Sequence, residues 1–432
     1  MICDWGRRLA KFTQMGKAKE VAMQTLDLRP DPAPMRAIMA GYNGLAPGER
    51  LEALVAAYPP GLRMGLIEAG AKHVAERAPN GHWQLAITGA SRSLSGTPGI
   101  HHVISSQDGR VWTCERGPRA ARIDADSRAV ACVREVAKAA SHMAHDAARG
   151  IVFIGDAGGN ALVAVRDDDL SVLGRFDIPG GPQLPLVTDD GIACITGSGA
   201  DALCLVWPGP GGKFRSKTIE VGKTPHDPLV SPDGKSVLVA CAGEGNVVRV
   251  SLADGTVTGR FAVGDGPGHL AAHPDGSRVY VANSFDGTLT CISPEGDLLG
   301  RVHSGGWAHV PEVTHDGKLV YVANFYDDAL AVFDAITLER VATLSTDAYP
   351  HGLNISHDGR RVVATGYSGD HVRVFDSATA AETSHIEVGQ GGAHTAFAVD
   401  GRTAFVGCSI SNHLAVIDVE RGAHLTDIRL DG

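Results

Sequence analysis

The sequence predicts a mainly β protein: an eight-bladed β-propeller, with seven blades as the alternative closure, preceded by a small α+β unit. Three observations carry this. At one fixed place of a repeat an Asp-Gly pair occurs seven times, at Asp108-Gly109, Asp190-Gly191, Asp233-Gly234, Asp275-Gly276, Asp316-Gly317, Asp358-Gly359 and Asp400-Gly401, with Arg149-Gly150 at an eighth equivalent place. Each pair is followed by a β-rich run, and successive pairs lie about 42 residues apart. A period of that size is the signature of a four-stranded propeller blade.

Within one unit the order is regular. Asp-Gly between two apolar runs marks a hairpin, because both residues tolerate positive φ. A strand follows, as in Arg278-Val-Tyr-Val-Ala-Asn283 and Leu319-Val-Tyr-Val-Ala-Asn324. A polar tip comes next (284–287, 325–328), then a third strand such as Leu330-Ala-Val-Phe-Asp334, and a fourth such as Arg340-Val-Ala-Thr-Leu344. The last copy is complete, so the sequence gives no sign of closure by strand exchange. The high glycine content, 54 of 432 residues, suits a turn-rich all-β chain. The propeller is expected over residues 98–432.

The first third lacks the repeat. Residues 1–20 read as an extension and 21–92 as a separate domain. Gln24 to Arg29 reads as a strand, closed off by Pro30-Asp-Pro-Ala-Pro34. A helix starting at a proline is expected over Pro34–Asn43, a strand over Gly48–Val55, a second helix over Arg63–Arg77, and a closing strand over His82–Thr88.

Composition removes several function classes. The net charge of −10 offers no basic face for nucleic acid. No run reaches the roughly 18 apolar residues of a membrane span, and the first residues lack the apolar core of a secretory signal. A cytoplasmic protein with no membrane partner is the expectation. The eight cysteines (Cys3, Cys114, Cys132, Cys194, Cys204, Cys241, Cys291 and Cys408) are spread singly, mostly inside apolar runs, and read as small buried hydrophobes. No nucleophile elbow, phosphate-binding glycine loop or zinc-finger spacing is present.

The functional signal is a histidine register. Counting back seven residues from each turn gives His101, His142, Gln183, His226, Gly268, His309 and His351, and His394 takes the place in the eighth copy on the reading that its turn is one residue shorter. His269 stands one residue beyond Gly268, His102 beside His101, and His145 a little beyond His142. This place is the start of the innermost strand, where side chains of all blades converge on one mouth of the channel. Imidazole is the commonest transition-metal ligand, and several on one rim can hold one or more ions. Nitrogen ligation without thiolate points to copper first, with iron or zinc as alternatives. The competing reading is a set of hydrogen-bonded channel residues copied by duplication. Six imidazoles on one axis would depress one another's pKa. His273, His315 and His357, at the other end of the inner strand, read as turn caps. His303, His371, His385, His413 and His424 read as solvated residues of outer strands and tips.

Three resemblances follow from these residues. The repeat resembles the YVTN family of bacterial propellers, which implies the fold and little about activity. Residues Leu26-Asp-Leu-Arg29, Ala46-Pro-Gly-Glu49 and Gly81-His-Trp83 resemble small TusA-like sulfur-carrier domains of a branch found beside denitrification proteins. The carriers' Cys-Pro is Ala33-Pro34 here, so the resemblance implies binding or docking rather than persulfide relay. The histidine mouth resembles the copper propellers of nitrous oxide reductases and thiocyanate dehydrogenases, where a His-His pair like His101-His102 opens the ligand set. It also resembles the methanethiol oxidase (selenium-binding) proteins and the eight-bladed haem propeller of cytochrome-type nitrite reductases, which has a histidine axial ligand. Together they imply a metal-dependent oxidoreductase acting on a small molecule, with His101, His102, His142, His226, His309, His351 and His394 as ligands and His145 and His269 as extra or supporting ones. Haem or another small ligand is the alternative cofactor. A non-catalytic scaffold, with a protein partner on the amino-terminal domain or on tip aromatics Phe285, Phe325, Tyr326 and Tyr367, is the third reading.

Overall fold

The computed structural model describes residues 23–27, 50–55, 72–77, 83–88, 99–182, 184–347 and 349–431. The chain divides into two compact units, Met1–Thr97 and Pro98–Gly432.

The larger unit is a propeller of eight blades, each a sheet of four consecutive strands: 100–135, 140–177, 185–220, 225–262, 267–303, 308–345, 350–387 and 392–428. Each innermost strand neighbours the next, and Gly392–Phe397 of blade 8 lies beside Ile100–Ser105 of blade 1. Closure therefore uses no exchanged strand. It rests on packing of Ile100 and Val103 with Phe405, Leu414 and Val416, on a hydrogen bond of 2.6 Å from Ser105 Oγ to the Phe397 carbonyl, and on an ion pair of Arg119 with Asp431.

Blade position explains the pattern of each strand. Second strands such as Ser236–Cys241 and Leu319–Asn324 lie between neighbouring blades and are buried almost throughout, so both faces are apolar. Outer strands such as Arg340–Ser345 alternate exposed and half-buried residues. In the Asp-Gly turns only the glycine takes positive φ, 71° at Gly317 for example. The aspartate instead accepts hydrogen bonds across the turn, as Asp316 does from Thr314 Oγ1 at 2.8 Å and from the Lys318 amide at 3.1 Å. Of the cysteines, Cys114, Cys194, Cys204, Cys241, Cys291 and Cys408 are buried and Cys132 is half-buried. Burial raises the thiol of Cys114 to about 12 and that of Cys204 to about 11, so these remain protonated.

The smaller unit contributes a four-stranded sheet in the order Met23–Asp27, Arg50–Val55, Trp83–Thr88, Lys72–Arg77. The first pair is parallel and the other two are antiparallel. Leu51 faces Ile87 and Ala53 faces Leu85, and all four are buried. The expected helix over Arg63–Arg77 is corrected at its end, because Lys72–Arg77 is a strand paired from Lys72↔Thr88 to Arg77↔Trp83. The intervening sequence carries Asn80-Gly81, a strong hairpin signal that outweighed the helical spacing. The helix expected over Pro34–Asn43 lies outside the described residues. Among the described residues no helix is long and apolar enough to cross a membrane.

Candidate metal centre

Strand register builds the site. In seven of the eight blades the innermost strand carries a β-bulge at the same place, where the pairing skips a residue. Aligned on that bulge, the strands begin Ile100-His101-His102-Val103, Ala140-Ser141-His142-Met143, Pro225-His226-Asp227-Pro228, Pro267-Gly268-His269-Leu270, Ala308-His309-Val310-Pro311, Pro350-His351-Gly352-Leu353 and Gly392-Ala393-His394-Thr395. Each bulge holds at least one histidine, and a bulge re-aims side chains that a regular strand would bury between sheets. Blade 3 departs: its inner strand is only Pro185–Val187, and Gln183 lies outside the described residues.

This alignment corrects the register read from the turns. His101, His226, His309 and His351 occupy the first bulge position, whereas His102, His142, His269 and His394 occupy the second. Turn counting grouped His142 and His394 with the first set because the blade 2 hairpin is one residue longer and the blade 8 hairpin was read as one shorter. In the structure Thr395 to Asp400 spans the same distance as Pro311 to Asp316. His269 is thus a full equivalent of His102, His142 and His394.

The rings form a continuous arc. Centroids are 4.7 Å apart for His226–His269 and for His269–His309, 5.2 Å for His309–His351 and 5.0 Å for His351–His394. The arc is densest around blade 1. His101 lies 5.2 Å from His142 and 5.1 Å from His394, and His102 lies 4.7 Å and 4.8 Å from the same two. The Nε2 atoms of His142 and His394 are 3.1 Å apart. One ligand atom each from His101, His142 and His394 lie within 4.8 Å of one another. Nitrogens about 2.0–2.1 Å from one tetrahedral ion stand about 3.3 Å apart, so this trio needs little movement to share one.

Chemistry separates the members. Burial first, then repulsion from neighbouring imidazoles and Arg116, holds His101 and His142 well below the usual histidine range, and His394 is lowered by burial and its imidazole neighbours. Burial likewise lowers His102 and His351 to about 3 and His226 to about 4, and it lowers His309. All are neutral at physiological pH, so each ring keeps one unprotonated nitrogen. Nδ1 of His101, His142, His226 and His351 is buried without a hydrogen-bond partner among the described residues. Such an atom costs about 1–3 kcal/mol while it lacks a partner, and a bound cation would supply one. His102 differs, because its Nδ1 accepts a hydrogen bond of 3.2 Å from the Met143 amide. That fixes the tautomer with the proton on Nε2, so His102 presents a donor rather than a lone pair to the mouth.

His145 stands outside the arc. Its ring packs on Trp112 at 4.4 Å, and its Nε2 lies 3.1 Å from Asp167 Oδ2, which also pairs with Arg110 at 2.7 Å. The structure places it in an ion-pair network between blades rather than with the ligands expected of it. Two other expectations are corrected. Of the four tip aromatics, Phe285 is exposed, but Phe325 and Tyr367 are buried and Tyr326 is half-buried. His413 is buried, with Nε2 donating to the Val388 carbonyl at 2.7 Å.

Four polar or aromatic features escaped the histidine count. Asp227 places Oδ2 3.3 Å from His269 Nδ1, an arrangement that orients the imidazole. Glu312, three residues beyond His309, is pushed up to about 8 by burial and by the charge of Asp227, and so stays protonated at neutral pH. Arg116 sets Nη2 3.4 Å from His101 Nε2 and stacks its guanidinium 5.6 Å from the Tyr367 ring. Trp307 and Tyr349, immediately before the inner strands of blades 6 and 7, hold φ of 58° and 61°, where blade 5 uses Gly266 and blade 8 Gly391. Large aromatics in that region are strained, and strain of this kind concentrates at functional sites. The residue beside a repeated histidine was the available signal for Asp227; Glu312 and Arg116 occur once each and have no period to reveal them, while the position of Trp307 and Tyr349 repeats with a different residue type in each blade.

Comparison with known proteins supports the fold. A family model described as lactonase, seven-bladed β-propeller, matches residues 212–380, less than half of the chain. No curated protein matches the sequence. Among solved structures the chain is similar to the hydrazine synthase of Kuenenia stuttgartiensis, at 17% identity and a TM-score of 0.55, over 75% of this chain and 96% of that one. It is similar to the dihydro-haem d1 dehydrogenase NirN in complex with DHE, at 16% and 0.58, over 73% and 72%. It is also similar to a putative 6-phosphogluconolactonase from Bacteroides fragilis, at 18% and 0.54, over 70% and 99%. At these identities the likeness is one of fold.

Proposed function

We propose that the histidine mouth binds transition-metal ions and serves an oxidoreductase reaction of a small molecule. The observation that carries this is the trio His101, His142 and His394, two buried and one half-buried neutral imidazole with ligand atoms within 4.8 Å of one another. An all-nitrogen donor set favours copper, with iron or zinc as alternatives. A copper ion there would supply electron transfer or polarisation of a bound substrate. The chain's own residues do the rest. His142 and His394 hold the ion from either side of blade 1, with His101 as the third ligand. His351, His309, His269 and His226 extend the donor set along the arc, and Asp227 orients His269. Protonated Glu312 is a proton donor facing the same stretch of the inner strands, and the Arg116 guanidinium gives an anionic or strongly accepting substrate a partner beside His101.

The test is metal analysis of untagged protein after copper reconstitution and a chelator wash. At least one equivalent should remain, and His142→Ala/His394→Ala should retain at least one equivalent less than the wild-type protein. Less than a tenth of an equivalent in the wild-type protein would end the proposal.

A haem-like ligand is the second reading. Phe325 and Tyr349 stack at 5.1 Å, Tyr367 lies 5.3 Å from His351, and Arg116 stands beside both, a wall that suits a flat anionic molecule. The NirN structure was solved with DHE. Against it, rings 4.7–5.2 Å apart leave no room for a macrocycle between them, so it would have to lie over the arc. Visible absorbance bands that co-elute with protein after haem reconstitution, and vanish in His351→Ala, would favour it.

For the amino-terminal unit, residues 21–92, we retain the TusA-like reading with a docking role. Its parallel first strand pair supports the reading, since neighbouring strands reach that arrangement only by a crossover.

A further inference from the structure

We infer that blade 7 carries a second transition-metal site, away from the channel mouth, formed by Asp347, His371 and His385 and suited to a borderline divalent cation such as zinc. The three come from different segments. Asp347 lies on the connection between the outer strand Arg340–Ser345 of blade 6 and the inner strand Pro350–Ile355 of blade 7. His371 opens the strand His371–Asp376, and His385 sits in the outer strand Glu382–Glu387. Strand pairing sets His385 opposite Arg373, two residues from His371, so the two histidines share one face as diagonal neighbours. Their ring centroids are 4.3 Å apart.

The donor atoms have metal-site spacing. Asp347 Oδ1 lies 3.3 Å from His385 Nε2, and Asp347 Oδ2 lies 3.7 Å from His371 Nδ1. One atom from each residue falls within 4.8 Å of the others. The expected separation of ligands around a tetrahedral zinc is about 3.3 Å, and two imidazoles with one carboxylate are a familiar donor set for that ion, leaving the fourth position to water. Asp370 Oδ1 accepts a hydrogen bond of 2.6 Å from His371 Nδ1, and that nitrogen must give up this bond to ligate a metal, leaving Asp370 as negative charge beside the site. Arg373 opposes a cation: its Nε lies 3.4 Å from Asp347 Oδ1, but its Nη1 is anchored at 3.0 Å on Glu382, which can take it up when Asp347 turns to a metal.

The carboxylate packs closely on the blade tip. A Cβ on Gly369 would stand 2.6 Å from the Asp347 Cβ and 2.7 Å from its Oδ2. The same close approach of glycine and carboxylate recurs at Gly264 with Asp286 and at Gly222 with Glu244, so blade 7 differs in carrying its carboxylate on the connection, beside two histidines. An ion here would tie the blade 6–7 connection to the outer strands of blade 7. That connection also carries Tyr349 and leads, four residues after Asp347, to His351 of the mouth.

Zinc titration of chelator-stripped full-length protein against a chromophoric competitor tests this. His371→Asn/His385→Asn should bind one equivalent fewer than wild type, and Asp347→Asn should weaken that equivalent at least tenfold, while His142→Ala/His394→Ala keeps it. The proposal is overturned if His371→Asn/His385→Asn binds with wild-type stoichiometry and affinity. Far-ultraviolet circular dichroism checks folding, and the single variant His385→Asn, at the more exposed position, serves if the double variant misfolds; it should also weaken the same equivalent. Loss confined to the mouth variant, loss confined to the blade 7 variants, and independent losses in both separate this site from the one proposed above.

Discussion

Both ends of the propeller's inner strands are lined with histidine, and the two sets meet burial in opposite ways. At the turn end, His273 donates from Nε2 to the Gly317 carbonyl at 2.8 Å and sets Nδ1 2.6 Å from Asp275, while His357 donates to the Phe397 carbonyl at 3.2 Å. Each such bond crosses to the next blade or closes a turn, so these residues cement the ring of blades. At the bulge end, four imidazoles keep a buried Nδ1 without a partner, and seven are held neutral by burial. Residue type and strand are the same; hydrogen-bond satisfaction is what differs. A satisfied histidine has its energetic role within the fold, whereas an unsatisfied, unprotonated one is available to a ligand.

The largest expected effect sets the two ends against each other. His273→Ala should leave metal content unchanged while costing about 1–3 kcal/mol of stability for its lost hydrogen bonds, read by denaturant unfolding. His142→Ala in the apo protein should cost less than that, since it removes an unsatisfied nitrogen with the ring. Reversal of this order would erase the distinction.

Acid sensitivity gives the next effect. A buried histidine with a lowered pKa binds its proton more weakly folded than unfolded, so the unfolded chain takes up more protons as pH falls below about 6.5. Its contribution is complete above that pH and is lost on the way down to about 4 for His226 and about 3 for His102 and His351. The apo protein should therefore lose stability steeply over this window, and His351→Ala should flatten the slope. Thermal unfolding at a series of pH values measures both.

Glu312 gives a smaller effect of opposite sign. Its carboxyl is raised to about 8, so the stability it contributes is present at low pH and falls as pH rises from the ordinary glutamate range through 8. Glu312→Gln should be more stable than wild type at pH 8–9, with the difference vanishing near pH 4.5. A constant difference across that range would remove Glu312 as a proton donor at the mouth.

Most of the fold was legible because it is written eight times. Asp-Gly turns and apolar second strands report blade number directly, and the eight sheets follow them. The histidines were legible as a set for the same reason, but their sub-register was not. The bulge absorbs one residue, and hairpins of unequal length shift a count made from the turn, so His142 and His394 were separated from His269 although the three are equivalent. Arg116 and Glu312 act through three-dimensional proximity alone, and His145 was misplaced because a position three residues along a strand faces a neighbouring blade. The strand Lys72–Arg77 was missed where a hairpin signal, Asn80-Gly81, competed with helical spacing.

The central claim is that the bulge-end imidazoles are ligands, and anomalous diffraction at the copper edge from copper-soaked crystals tests it most directly. The account predicts a peak about 2 Å from nitrogens of His101, His142 and His394. Copper elsewhere on the protein with none at that mouth would contradict it.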